Sequence, residues 1–96
     1  MKTRPVVVAL DQGSSSSRAL ALDLKGRVLA RAQRPVRARY PVPGRVEYDA
    51  LELARTLEGA LDAVLDALPK GATVVAGLSC QRSTVVVWDS ETGAPL

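Results

Sequence analysis

The sequence predicts an α/β domain built on a mixed sheet, with its elements in the order β-β-β-α-β-β. Three observations lead there. Residues 5–10 read Pro-Val-Val-Val-Ala-Leu, a continuous run of the kind found in strands buried on both faces. Residues 27–37 alternate apolar and polar, the period of a half-buried strand. Residues 51–68 place Leu51, Ala54, Leu57, Leu61, Val64, Leu65 and Leu68 at helical spacing, with Glu52, Arg55, Glu58, Asp62 and Asp66 mostly off the stripe.

The elements follow in order. The first strand stops at Asp11, where Gly13 and four serines make a loop. Residues 18–24 form a second apolar run, and Lys25-Gly26 is a turn signal. In the third strand Val28, Ala30, Ala32 and Val36 face one way, with the arginines and Gln33 mostly opposite. Three strands joined by short turns imply an antiparallel meander. Tyr40-Pro41-Val42-Pro43-Gly44 is an irregular connection, after which Val46-Glu47-Tyr48 adds a short extended piece. Asp49 is the helix N-cap, and Glu52 three residues on suggests a capping box. Leu68-Pro69-Lys70-Gly71 stops the helix. Residues 72–78 read as another buried strand and residues 85–89 as one more, followed by a hairpin turn at Glu91-Thr92-Gly93. Because the last hairpin has no return strand, the expectation is an incomplete domain with no second one: a truncated frame, a fragment or part of a split protein.

Composition narrows the function. The chain has 96 residues, 47% hydrophobic and 24% charged, which suits one small folded domain. Its core must pack Val, Leu and Ala, since Phe and Ile are absent. The net charge of +3 concentrates at Arg27, Arg31, Arg34, Arg37, Arg39 and Arg45. Tyr40 is the one aromatic residue in that stretch and does not interleave with the arginines as a stacking series would, so no nucleic-acid partner is expected. With no His, Ser-His-Asp triads and cysteine–histidine metal sites are excluded within this chain. Cys80 is the only cysteine and reads as a buried strand thiol. No leader and no membrane span are visible, so the expected location is the cytoplasm.

The first chemical motif is Asp11-Gln12-Gly13-Ser14-Ser15-Ser16-Ser17-Arg18. An acidic residue at the end of a buried strand needs a purpose or a partner. Asp11 would hold Mg²⁺, directly or through water, and the metal would bridge phosphates. Gly13 would let the backbone approach the ligand. Ser14 and Ser15 would present hydroxyls and N–H groups to phosphoryl oxygens, and Arg18 would neutralise charge. The residues alone allow a plainer reading, a polar hairpin whose aspartate caps its own turn. This is not a Walker loop, because no Gly-Lys-Ser/Thr follows.

The segment from residue 8 to 19 closely resembles the opening of the FGGY carbohydrate kinases, and within them the glycerol kinase branch. Serines stand where that family typically has Thr-Thr. The likeness continues through Tyr40-Pro41-Val42-Pro43-Gly44-Arg45-Val46-Glu47-Tyr48-Asp49, against the family pattern Tyr-Pro-x-Pro-Gly-Trp-Val-Glu-x-Asp. It then reaches Gln81-Arg82 and the segment 86–95, in one register over nearly the whole chain. The resemblance implies a ribonuclease H-like, actin-like ATPase half-domain and transfer of the ATP γ-phosphoryl to a sugar or polyol hydroxyl, with ATP and Mg²⁺ as cofactors. It also implies that Gln81, Arg82 and Ser83 bind substrate. Glycerol kinases have Gln-Arg-Glu there, so Ser83 in place of the carboxylate leaves xylulose- or gluconate-type kinases open as alternatives. The family's catalytic base is an aspartate far downstream, so no catalytic residue is expected in this chain and the chain alone is expected to be inactive.

Three smaller expectations complete the reading. Trp88 packs rather than stacking on sugar, Asp23 caps a turn before Gly26, and Ser16 and Ser17 fill the loop. A non-catalytic ATPase-fold module stands as the third hypothesis, binding a missing C-terminal part or a second copy through its unfinished sheet edge.

Overall fold

The computed structural model describes residues 4–96. Four strands, β1 (Arg4–Gln12), β2 (Ser16–Leu22), β3 (Val28–Pro35) and β4 (Ala72–Cys80), form one mixed sheet in the order β3-β2-β1-β4. The first three make the antiparallel meander, and β4 lies parallel to β1. Between β3 and β4 runs α1 (Ala50–Asp66).

Period-two alternation splits β1 into two faces. Val6, Val8 and Gln12 point toward α1 and are buried, while Val7, Ala9 and Asp11 point away and are exposed. Register extends this across the sheet: Val8 opposes Ala21, and Asp11 opposes Arg18. The core is Val6, Val8, Ala19 and Ala21 from the sheet with Ala60 and Val64 from α1. All six are Val or Ala, with Leu10, Leu61 and Leu68 packed against them only partly buried. β1 is therefore buried on one face only, not on both.

α1 begins where expected. The Asp49 carboxylate accepts the N–H groups of Leu51 at 2.9 Å and Glu52 at 3.3 Å, a cap worth about 1 kcal/mol. The reciprocal half of a capping box does not form: Glu52 Oε1 accepts instead from the Arg37 N–H at 3.0 Å, tying the segment after β3 to the helix start. The buried stripe is Leu53, Ala60 and Val64. Leu57, Leu61 and Leu68 are half-buried, whereas Leu51, Ala54 and Leu65 are exposed. The stripe is turned from the expected one because the helix packs on β1, β2 and β3 and leaves β4 uncovered.

That gap accounts for the other differences. β4 forms, but Val74, Val75 and Leu78 are exposed, and Cys80 is an exposed thiol rather than a buried one. The sixth element is not a strand. Residues 85–89 make only a single bridge, Trp88 to Pro95, because no neighbouring strand extends a ladder. The hairpin turn itself is well formed: Asp89 accepts the N–H groups of Glu91 and Thr92, and Gly93 adopts φ 76°. Trp88 is exposed rather than packed.

Asp23 caps the β2–β3 turn as expected. It accepts the N–H groups of Lys25 and Arg27, each at 2.9 Å, and pairs with Arg27 Nε at 2.7 Å. The Arg27 backbone N–H, then its side chain, hold the Asp23 carboxyl below its ordinary value.

Candidate functional site

The carboxyl ends of the parallel strands β1 and β4 lie side by side, the edge at which open α/β sheets collect ligands. The serine loop leaves β1 here and the segment 81–83 leaves β4. Gln12 joins them. The Gln81 N–H donates to the Gln12 carbonyl at 2.8 Å, and Gln81 Nε2 approaches Gln12 Oε1 at 3.3 Å. Gln12 itself is buried, and its Nε2 donates to the Gly13 carbonyl at 2.9 Å.

From Gly13 through the loop to Ser16, the first residue of β2, every carbonyl is engaged. Gly13 O accepts from Gln12 Nε2, and Ser14 O accepts from the Tyr48 hydroxyl at 2.8 Å. Ser15 O accepts from the Val36 N–H at 2.9 Å, and Ser16 O from the Gly13 N–H at 2.8 Å. Among the described residues, the N–H groups of Ser14 and Ser15 donate to nothing. A loop whose acceptors are occupied while the N–H groups of Ser14 and Ser15 are free presents positive partial charge, the arrangement that suits a phosphate. Gly13 is needed for closeness inside the loop: a Cβ there would stand 3.1 Å from the Ser16 carbonyl oxygen.

Asp11 and Arg18 occupy opposed positions on the open face of the sheet, both exposed. Neither makes an ion pair or side-chain hydrogen bond among the described residues, where the ion pairs are Arg27–Asp23, Arg39–Asp49 and Arg45–Glu47. Asp11 lies within β1 rather than in the loop, so it does not cap its own turn. Ser16 and Ser17 belong to β2 rather than to the loop. Ser16 Oγ accepts from Gln33 Nε2, and the buried Ser17 Oγ meets Thr56 Oγ1 at 2.8 Å.

The second group lines a cleft of about 490 Å³ beside the N-terminus of α1. Gln81, Arg82 and Ser83 form part of its wall, with Glu47, Tyr48 and Leu53 across from them in sequence. Arg82 is exposed, and its guanidinium makes no hydrogen bond among the described residues. Ser83 has φ 58°, the left-handed region that costs a non-glycine residue about 1 kcal/mol or more.

The residues expected to handle phosphate, Asp11, Gly13, Ser14, Ser15 and Arg18, do not line this cleft. The contact between the two groups runs through Gln12 and Tyr48, to which sequence reasoning gave no role. Gln12 stood inside the first motif, but the strand was expected to stop before it, at Asp11, whereas β1 runs through Gln12. Tyr48 sits inside a recognised motif, at a position that the family pattern leaves open.

Residues 6–96 match the family described as "FGGY family of carbohydrate kinases, N-terminal domain". A glycerol kinase of Paraburkholderia phymatum is 46% identical over 92 residues, 94% of this chain and 18% of that protein. An apulose kinase of Pectobacterium atrosepticum is 37% identical over 92 residues, 96% of this chain and 18% of that protein. Among solved structures, the glycerol kinase of Plasmodium falciparum with ADP superposes with a TM-score of 0.86 at 26% identity, covering 98% of this chain and 19% of that one. The chain thus spans about a fifth of the length of these relatives. On the family match and these identities together, it belongs to the FGGY family of carbohydrate kinases.

Proposed function

We propose that this chain is the first part of a kinase that transfers the γ-phosphoryl of ATP to a hydroxyl of a small polyol or sugar, with glycerol the leading candidate acceptor. The observation that carries the reading is the serine loop, with four carbonyls engaged and the Ser14 and Ser15 N–H groups free. Similarity to glycerol kinases at 46% and 45% identity supports the choice of acceptor.

The donor set fits a nucleotide–magnesium complex. Among the described residues no cluster of three or more His, Cys, Asp or Glu could cage a metal. Mg²⁺ in phosphoryl transfer needs no cage, since one carboxylate plus phosphate oxygens and waters complete its shell. Asp11 is that carboxylate, free of protein partners. Bound Mg²⁺ would neutralise charge on the phosphates of ATP. Ser14 and Ser15 would donate to phosphoryl oxygens, and Arg18 would balance charge from the open face. In the cleft, the forked donors of Arg82 would hold two oxygens of a vicinal diol, with Gln81 and Ser83 beside it. The general base and the adenine site belong to sequence outside these 96 residues, so the chain alone would not turn over.

Ser83 favours a second reading, a kinase of another sugar. A serine hydroxyl accepts a polyol hydrogen bond less strongly than the carboxylate glycerol kinases place there. Assay of the full polypeptide in which these residues occur, with ATP, Mg²⁺ and glycerol, xylulose, gluconate or apulose, separates the two. Glycerol turnover comparable to the best sugar rejects the second reading. Enzyme-like turnover of no acceptor rejects the kinase reading altogether, and turnover by the isolated 96-residue chain rejects the claim that it is incomplete.

A further inference from the structure

Tyr48 touches both halves of the candidate site. Its hydroxyl donates to the Ser14 carbonyl at 2.8 Å, across 34 positions of sequence, and the residue also lines the cleft that holds Gln81, Arg82 and Ser83. We propose that Tyr48 is a positioning residue that fixes the serine loop in its donor-outward form.

The physical argument starts from the loop's polarity. Of the four engaged carbonyls, three are held from within the hairpin or by its immediate neighbour in the fold: Gly13 by Gln12, Ser16 by Gly13, and Ser15 by Val36. Ser14 O alone is held by a side chain from the connection before α1. If that bond is lost, nothing else on the described surface keeps the Ser14 peptide from rotating. A rotated peptide exchanges a free N–H for a carbonyl, replacing attraction for a phosphate with repulsion. The Ser14 peptide is therefore the point at which the loop switches between welcoming and rejecting an anion.

The other end of Tyr48 is also fixed. Residue 48 lies one position before the Asp49 cap of α1 and one after Glu47, which pairs with Arg39 through backbone bonds in both directions, 2.7 and 2.8 Å. The backbone is thus held on both sides, and the phenol reaches the loop from a rigid base. The hydroxyl, not the ring, carries the effect on the loop, and a phenylalanine removes only that.

The test is Tyr48→Phe in the full polypeptide in which these residues occur, read by three measurements. The expected result is a fall in kcat of about tenfold with ATP and the best acceptor, the scale of a small misplacement at a reacting group. The KM of the acceptor stays within about twofold, since the cleft wall is intact, and the melting temperature stays within about 2 °C. Amide exchange at Gly13 and Val36, whose bonds close the loop, accelerates about fivefold or more while Val64 in α1 keeps its protection. If kcat and exchange both stay within twofold of the parent, the proposal is overturned. It is equally overturned if only the acceptor KM rises, which would make Tyr48 a plain wall residue. The proposal rests on the kinase reading for its kinetic readout alone. Accelerated exchange in a protein that phosphorylates no acceptor would sustain the positioning role while the kinase reading falls.

Discussion

Ser17 and Arg18 are neighbours in sequence and belong to different worlds. Ser17 faces α1, is fully buried and spends its hydroxyl on Thr56. Arg18 faces the open side of the sheet, opposite Asp11, and has no partner among the described residues. The same division runs along β1, between Val6 and Val8 on one face and Val7, Ala9 and Asp11 on the other. One face of these strands makes the fold, and the other carries the exposed candidates Asp11 and Arg18. Substitutions should therefore separate cleanly by face, even one residue apart.

The largest contrast is expected for an introduced charge. Val8 is 0% exposed beneath α1, and Val75 is 65% exposed on the opposite face of β4. Val8→Asp buries an unpaired carboxylate, which costs several kcal/mol and should leave the chain unfolded. Val75→Asp should change its stability by no more than about 0.5 kcal/mol. Urea unfolding of the two variants measures the difference. Equal losses would mean that the open face is covered in solution, by a second copy or by more of the same protein.

Next in size is a change on the open face that spares the fold. Asp11→Asn keeps the shape of an exposed side chain without partners, so the melting temperature should stay within about 2 °C. Phosphoryl transfer by the full polypeptide should fall by about 10²–10³-fold, the range seen when one electrostatic contact to the reacting group is lost. A raised Mg²⁺ requirement in the variant would locate the loss at the metal. An unfolded Asp11→Asn protein would erase the distinction between the faces.

How much of this could be read in advance follows the same line. The meander, the Asp49 cap, the Asp23 turn and the closing turn at Glu91-Thr92-Gly93 are local, set by residues within a few positions of one another, and the sequence shows them. Burial is not local. Residues 5–10 and 72–78 look equally apolar, yet only the first is covered, because α1 reaches β1 and not β4. No strand pairs with residues 85–89, so their apolar character stays unspent and the expected sixth element does not form. The site divides likewise. The residue types of the serine loop and of Gln81-Arg82-Ser83 were recognisable from their motifs. The bonds that join them, Gln12 to Gln81 and Tyr48 to Ser14, span 69 and 34 positions and have no periodic signature.

The smallest contrast lies wholly within the closed face. Thr56 Oγ1 donates back to the Glu52 carbonyl at 2.8 Å. A hydroxyl has one proton, so if Thr56 spends it on that carbonyl, Ser17 is the donor in the Ser17–Thr56 contact at 2.8 Å. Removing the two hydroxyls is then not equivalent. In Ser17→Ala, Thr56 keeps its own donor bond and loses only an acceptor role, a cost of about 0.5–1 kcal/mol. In Thr56→Val, the fully buried Ser17 hydroxyl is left without a partner, a cost of about 1–3 kcal/mol. The Ser17→Ala/Thr56→Val double variant leaves no orphaned group and should recover part of that loss. Urea unfolding of the three variants decides the matter: if Ser17→Ala is the costlier single change, the direction of the bond is reversed, and Ser17 accepts from Thr56 while another group satisfies its proton.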